Sequence, residues 1–423
     1  MKITPRAVVG AALLALLLPL AACGSDSDGG SAGVSAPKRD LAEGSPADSS
    51  LEPVTIGFQS ALNGAFALPD VKTGFDAGLK FVNERLGGVD GHPLEAVTCG
   101  TDGTPDASVD CGNQFVQKKV VLSTLGFDFG ADAILPVLKG AGIAEFGYQA
   151  ITPGLNSATG QAFFTLPSQQ ESFSSDLVMH HGLGADSLAS VLPDVPSMHD
   201  GFDNVIKPAA EKLGLKVKAF YYPTPTDWAS FAATVLSTNP SAVTVYAPDS
   251  DTLAAIPAFR GAGFTGVIDA STSTSIIAKL PAATLDKVVF TTQYFSDEYA
   301  ESALSDKVAA DLAAFNTYVK PTDKTIINYA QIGFYLAVQA ADALRQIAKA
   351  TGEPLTAASV LENLPNTKGS LFFRDSTYDC SAPSWPGTTS CSEGLYYAEV
   401  DEDGKLTPLE NSPIDVSEVR PAS

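Results

Sequence analysis

Five cysteines and four histidines are the side chains with the most defined chemistry in this 423-residue chain. Cys99 lies close to Cys111, and Cys380 close to Cys391. Where thiols are oxidised, that even, paired pattern favours two disulfides, each closing a short loop and contributing about 3 kcal/mol if unstrained. Free thiols and a metal site are the alternatives, but the spacings fit no zinc pattern and no histidine is near in sequence. His180 and His181 fall in a helical pattern without an acidic partner and read as surface or packing, whereas His199 follows a strand. The chain has no Gly-x-Ser-x-Gly elbow, no His-Glu-x-x-His and no phosphate loop ending in Gly-Lys-Ser/Thr. Gly87-Gly88 and Gly261-Ala262-Gly263 come after helices and act as stops. Forty-eight acids keep a carboxylate-pair hydrolase as a weak alternative. The reading is a binding protein, not an enzyme, with no cofactor and no metal.

Lys2 and Arg6 precede an apolar core at residues 7–18 that is too short to span a bilayer, and small residues come after it, as in an export signal. Leu20-Ala21-Ala22-Cys23 resembles the lipobox of bacterial lipoproteins. The resemblance implies cleavage after residue 22, lipidation of Cys23 and an extracytoplasmic protein held to the cell membrane by its acyl chains. Residues 24–50, rich in Gly, Ser, Asp, Ala and Pro, cannot bury enough surface to fold and read as a tether of ~30 Å r.m.s. span. The formal charge of −22 repels nucleic acid and anionic lipid, so nucleic acid is not an expected partner.

From residue 54 short β-branched runs alternate with amphipathic ones, which argues for α/β architecture with parallel sheets and crossover helices. Strands are predicted at 54–57, 94–99, 120–122 and 143–146, with helices at 71–86, 106–118 and 131–139. A second series has strands at 188–192, 217–222, 243–247 and 267–269, with helices at 173–181, 202–213, 228–236 and 252–260. A strand at 288–292, helices at 303–318 and 329–349, and a β-like tail at 370–373 and 395–400 complete the pattern.

Val54-Thr55-Ile56-Gly57, Leu62-Asn63-Gly64-Ala65-Phe66-Ala67, Gly74-Phe75-Asp76-Ala77-Gly78, the segment from Val82-Asn83-Glu84 to Asp90-Gly91, Asp102-Gly103-Thr104-Pro105-Asp106-Ala107 and Asn328-Tyr329-Ala330 occur in an order and spacing that resemble a type I periplasmic binding protein of the leucine/isoleucine/valine-binding kind. The resemblance implies two doubly wound parallel-sheet lobes joined by a three-segment hinge, a Venus flytrap, with a small-molecule ligand between them and an ABC permease as partner. It divides the chain into a signal peptide at 1–22, a lipidated linker at 23–50, lobe 1 at 51–166 plus 296–369, and lobe 2 at 167–295 plus 370–423. A monomer suffices for this function. A ligand sensor read by a signalling partner is the alternative on the same scaffold.

In open α/β sheets ligands sit beyond the carboxyl ends of strands, which selects the loops at 60–66, 124–130, 146–152, 197–200, 248–251 and 271–274, and Tyr294. The candidate ligand residues on them are Asn63, Phe66, Phe127, Asp128, Gln149, Ala150, Thr152, His199, Asp200, Asp249, Ser271, Thr272 and Tyr294. By position, 147–152 falls where the family offers N–H and hydroxyl groups to an amino-acid carboxylate. The family's serine-rich run is here Thr124-Leu125-Gly126-Phe127-Asp128-Phe129, and the acid that pairs with an ammonium is replaced by Ala270-Ser271-Thr272-Ser273-Thr274. The ligand is therefore a small polar molecule, with an amino acid only one candidate. For any single Ser, Thr or Asp here a helix N-cap is the competing role, and for the aromatics the inter-lobe core.

Overall fold

Five short runs, β1 (Val54–Ala61), β2 (Leu94–Thr101), β3 (Ser123–Leu125), β4 (Glu145–Gly147) and β5 (Ala162–Phe164), pair in parallel in one sheet of order β2–β1–β3–β4–β5. The computed structural model describes residues 44–64, 67–271, 274–319 and 327–421, all within the unit Ala36–Ser423. The helices α1 (Pro69–Arg85), α2 (Pro105–Lys118), α3 (Leu135–Ala141) and α4 (Pro153–Ser157) connect these strands. Alternation along β1 covers both faces of the sheet. Ile56 and Phe58 are buried with α1, where Phe58 stacks on Phe75 with centroids 4.0 Å apart. Gly57, between them, leaves room on the other face for Phe115 of α2, which an added Cβ would meet at 2.7 Å. The Cys99–Cys111 disulfide ties β2 to α2.

The second sheet contains β6 (Ser187–Pro193), β7 (Lys216–Tyr222), β8 (Ala242–Val245), β9 (Val267–Ala270) and β10 (Val288–Thr292). Its helices are α5 (Gln169–Gly182), α6 (Pro196–Gly201), α7 (Lys207–Leu213), α8 (Trp228–Leu236), α9 (Asp249–Gly261) and α10 (Ala282–Leu285). Its parallel part runs β10–β9–β8–β6–β7, the same winding as the first sheet. After β10 the chain returns through α11 (Asp306–Tyr318), α12 (Ile327–Thr351) and α13 (Ala357–Asn363), a small hairpin of β11 (Lys368–Ser370) and β12 (Thr377–Asp379), and an antiparallel pair, β13 (Tyr396–Val400) and β14 (Leu406–Pro408), that extends the second sheet beyond β10.

Three segments therefore pass between the sheets, and they are bonded to one another. Phe164 donates its N–H to the Thr389 carbonyl at 2.9 Å, and Cys391 returns its own N–H to the Phe164 carbonyl at 2.7 Å. The Ser390 and Ser392 hydroxyls hold the Leu166 and Thr165 carbonyls at 2.8 and 2.7 Å. Phe295 N–H bonds the Phe373 carbonyl at 2.9 Å. Arg374, fully buried, donates to the carbonyls of Gln293 and Gly394 and lies 4.9 Å from the Tyr396 ring centroid. The Cys380–Cys391 disulfide closes the loop that makes the first of these contacts.

Four sequence expectations shift. The strand expected at 120–122 lies three residues later: Val121 and Leu122 still bond the β1 backbone, but the strand proper is Ser123–Leu125, whose two hydroxylic residues hide it. Residues 371–374 turn between β11 and β12 rather than extend a strand. The helix expected at 202–213 begins at Pro196, a residue suited to the first helical turn, so His199 and Asp200 sit on a helix and not on a loop. The carboxyl end of the expected tether is tied down, since Gly44, Ala47 and Asp48 donate N–H groups to the carbonyls of Arg85, Asn83 and Gly91 at 2.6, 2.7 and 2.8 Å.

The tightest packing joins α1 to α12. A Cβ on Gly74 would stand 1.7 Å from the Ala330 carbonyl oxygen, and one on Gly333 1.8 Å from that of Val71. Close approach, not turn geometry, demands glycine at both positions. Gly333→Ala is therefore expected to destabilise the protein by at least the ~1–3 kcal/mol of core overpacking. Urea unfolding measures this, and a variant as stable as the parent would mean that the helices do not touch as described.

Candidate functional site

A cavity of about 540 Å³ opens between the two sheets at the carboxyl ends of their parallel strands. The loop after β3 contributes Phe127 and Phe129, and the loop after β4 contributes Tyr148 to Ile151. The first two turns of α5 add Gln169, Ser172, Phe173 and Asp176. Tyr246 comes directly after β8, Ser271 and Thr274 come after β9, and Thr291 to Tyr294 end β10. Tyr329 and Ile332 of α12 close one side. Two aromatic pairs meet edge to face, Phe127 with Phe129 at 5.0 Å from one sheet and Phe173 with Tyr246 at 5.3 Å from the other. Gln293 donates to the Gln149 side-chain oxygen at 2.7 Å, joining the two halves, while Gln149 donates to the Pro167 carbonyl at 3.0 Å.

Of the residues expected from sequence, Phe127, Gln149, Ala150, Ser271 and Tyr294 are brought together on this cavity. Phe66 and Thr272 lie outside the described residues, as does Cys23 with the whole signal segment. The others do not line the cavity. Asp128 points the opposite way, fully buried, and accepts from Gln59, Thr101 and Ser108 side chains at 2.7, 2.7 and 3.0 Å and from Gly130 N–H at 2.8 Å. The Thr152 hydroxyl is held by Asp132, which also takes the Gly154 and Leu155 N–H groups at 3.1 and 2.8 Å. Asn63 is exposed beside β2, where its N–H bonds the Thr101 carbonyl at 3.1 Å. His199 stacks on Tyr221 at 3.7 Å and bonds Asp194, next to exposed Asp200. Asp249 starts α9 and accepts from Ser275 at 2.9 Å. His180 is core: it is fully buried, bonded to Thr244 at 2.8 Å, and burial lowers it to about 3, so it is neutral.

Sequence reasoning missed Phe173, Asp176 and Tyr246. One signal was available, an acid three residues after Phe173 on a stripe that continues to His180. Asp176 is buried and accepts from the hydroxyls of Tyr246 and Tyr397, the latter at 2.5 Å. Beside it Asp269, fully buried, accepts from Thr291 at 3.1 Å. Burial, and then the neighbouring Asp176 charge, push the Asp269 carboxyl well above the usual range. Burial raises Asp176 as well, against the two tyrosine hydrogen bonds. Burial thus works against two full charges in this pair, of which Asp176 faces the cavity.

Two α/β halves, each built on a parallel sheet and facing each other across a cleft, define the class of fold. Residues 53–405 match the sequence model of the family described as periplasmic binding protein, and the chain belongs to that family. The fold is shared with several solved structures. An extracellular ligand-binding receptor from Verminephrobacter eiseniae is 18% identical, with 84% of this chain and 99% of that one covered and a TM-score of 0.67. The branched-chain amino acid transporter substrate binding protein LivJ from Streptococcus pneumoniae, in complex with isoleucine, is 15% identical, with 86% and 99% covered and a TM-score of 0.65. An ABC transporter solute binding protein from R. palustris, in complex with 4-hydroxybenzoate, is 19% identical, with 85% and 96% covered and a TM-score of 0.62. At these identities the likeness is one of fold. No curated protein sequence matches the chain significantly. Among the described residues no helix is long and apolar enough to cross a membrane.

The Asp176–Asp269 pair makes stability depend on pH. Asp269 is raised in the folded state, so its contribution is complete below the ordinary aspartate range near pH 4 and is lost as pH rises through its folded value. Asp269→Asn replaces the carboxyl with an amide that does not ionise. The variant is expected to gain about 1–3 kcal/mol over the parent at pH 8.5, with a smaller gain at pH 5. Melting curves at the two pH values test this; parallel pH profiles for variant and parent would rule out a raised Asp269.

Proposed function

We propose that this protein is the extracytoplasmic solute-binding receptor of an ABC importer, anchored through lipid on Cys23 and taking one small polar ligand in the cleft. The observation that carries the reading is the cavity of about 540 Å³, lined from both sheets and flanked by the three bonded crossings. Its size suits a small ligand, and isoleucine and 4-hydroxybenzoate, held by two of the proteins of like fold, are solutes of that scale. The lobes are assigned as 51–166 plus 296–369 and 167–295 plus 370–423, with residues 23–50 as the linker, docked through residues 44–48. Ligand contacts are assigned to Phe127, Gln149, Ala150, Ser271 and Tyr294, joined by Phe173, Asp176 and Tyr246. Ligand bridging the two halves stabilises the closed form by its differential affinity for that form, and the closed form is what the permease reads.

Thermal melting of the purified protein against a broad metabolite panel tests the proposal. A cognate solute at a hundred times its Kd adds about 2.7 kcal/mol to the folded state and raises Tm by several degrees. Phe127→Ala is expected to reduce the rise. Absence of any rise, together with a native mass equal to that of the bare polypeptide and its lipid, would sink the receptor reading.

A further inference from the structure

The described lining of the cavity carries charge of one sign only. Asp176 is the acidic side chain in it, and no lysine, arginine or histidine among the described lining residues stands with it. Arg374, which donates to the Gln293 carbonyl, is buried outside that lining. Burial, and then the Asp249 charge, raise the phenol of cavity-lining Tyr329, so a second acid adds to the same field from close by. A positive charge entering the cleft therefore meets attraction, and no cation of the lining competes for Asp176.

Aromatic rings form much of the remaining wall. Phe173 and Tyr246 stand at 87° to each other on one half, and Phe127 and Phe129 at 78° on the other, so each pair makes a corner of π surface. Ring faces carry the negative part of the aromatic quadrupole and attract an organic cation. Tyr246 couples the rings to the acid, because its hydroxyl donates to Asp176 and the carboxylate charge thereby enriches the ring. The form of the cation follows from how Asp176 is used. Its side chain is 2% exposed, and each oxygen already accepts from a tyrosine hydroxyl, Tyr246 on one and Tyr397 on the other. A primary ammonium brings three N–H groups that need acceptors, whereas a fully alkylated nitrogen has none to satisfy and needs only charge and contact.

We propose that the cleft takes a ligand with a quaternary ammonium head, seated against the Phe173 and Tyr246 corner beside Asp176. This rests on the reading of the cavity as a solute site and names the class of solute. Calorimetric titration of the unaltered protein at pH 7.5 with choline, 3,3-dimethylbutan-1-ol and ethanolamine tests it. The alcohol keeps the shape of choline without its charge, and ethanolamine keeps a charge without the methyl groups. Choline is expected to bind at least tenfold more tightly than either. Phe173→Leu, which keeps apolar volume but removes the ring, and Asp176→Asn are each expected to weaken choline at least threefold, with melting curves showing that the variants are folded. Equal or tighter binding of the alcohol or of ethanolamine overturns the proposal, as does unchanged choline affinity in the folded variants. If none of the three compounds binds while the native mass still carries a non-covalent adduct, the ligand class is wrong and the receptor reading survives. A bare native mass with no thermal response to any solute removes both.

Discussion

Parallel pairing is the constraint on which the rest of this structure depends. A parallel strand must be succeeded by a return crossing, so the carboxyl ends of β1 and β3 to β5 gather on one edge of their sheet, and those of β6 to β10 on one edge of theirs. Both sheets use the same winding, and the cavity is lined by the segments leaving β3, β4, β8, β9 and β10. The two halves need no shared active-site motif, because topology alone delivers loops to a common place. The groups that each loop then offers are set by local packing. At the β3 loop the buried trio of Gln59, Thr101 and Ser108 draws Asp128 inward, and its neighbours Phe127 and Phe129 are left facing the cleft.

The crossings explain how two such halves stay in register. Each backbone strand that passes between the sheets is bonded to another, and the connections are made by groups that a mobile linker would leave to water. Arg374 gathers two segments through carbonyls rather than carboxylates, so its charge is stabilised by dipoles and by the Tyr396 ring, with no matched acid needed. Serine hydroxyls perform the same service around Thr165 and Leu166. The crossings thus form a short layer of backbone bonded from segment to segment.

Much of this architecture is legible in the amino-acid pattern. Helices with a sustained apolar stripe, such as α1, can be placed to within about two residues, and the cysteine pairs can be named from spacing. The loops around the cleft can be found because strand ends can be read from sequence. The direction in which a loop side chain points cannot be read. Asp128 and Thr152 look like ligand groups until their partners are known, and those partners are distant in sequence or belong to another turn. The reverse failure concerns α5: its cleft side mixes Phe173 with Gln169, Ser172 and Asp176, so no clean stripe separates cleft from core and Phe173 cannot be told from packing. β3 is misplaced from sequence because it carries hydroxyl residues, one of which, Thr124, is satisfied inside the sheet by donating to the Gly57 carbonyl at 2.7 Å.

The bonding of Phe164 to residues 389 and 391 also bears on the order of assembly. β5 is the outermost strand of the amino-terminal sheet, and an uncovered edge invites pairing with other chains. Its cover arrives from a segment more than two hundred residues downstream. A growing polypeptide thus presents a naked sheet margin until nearly the whole chain is available.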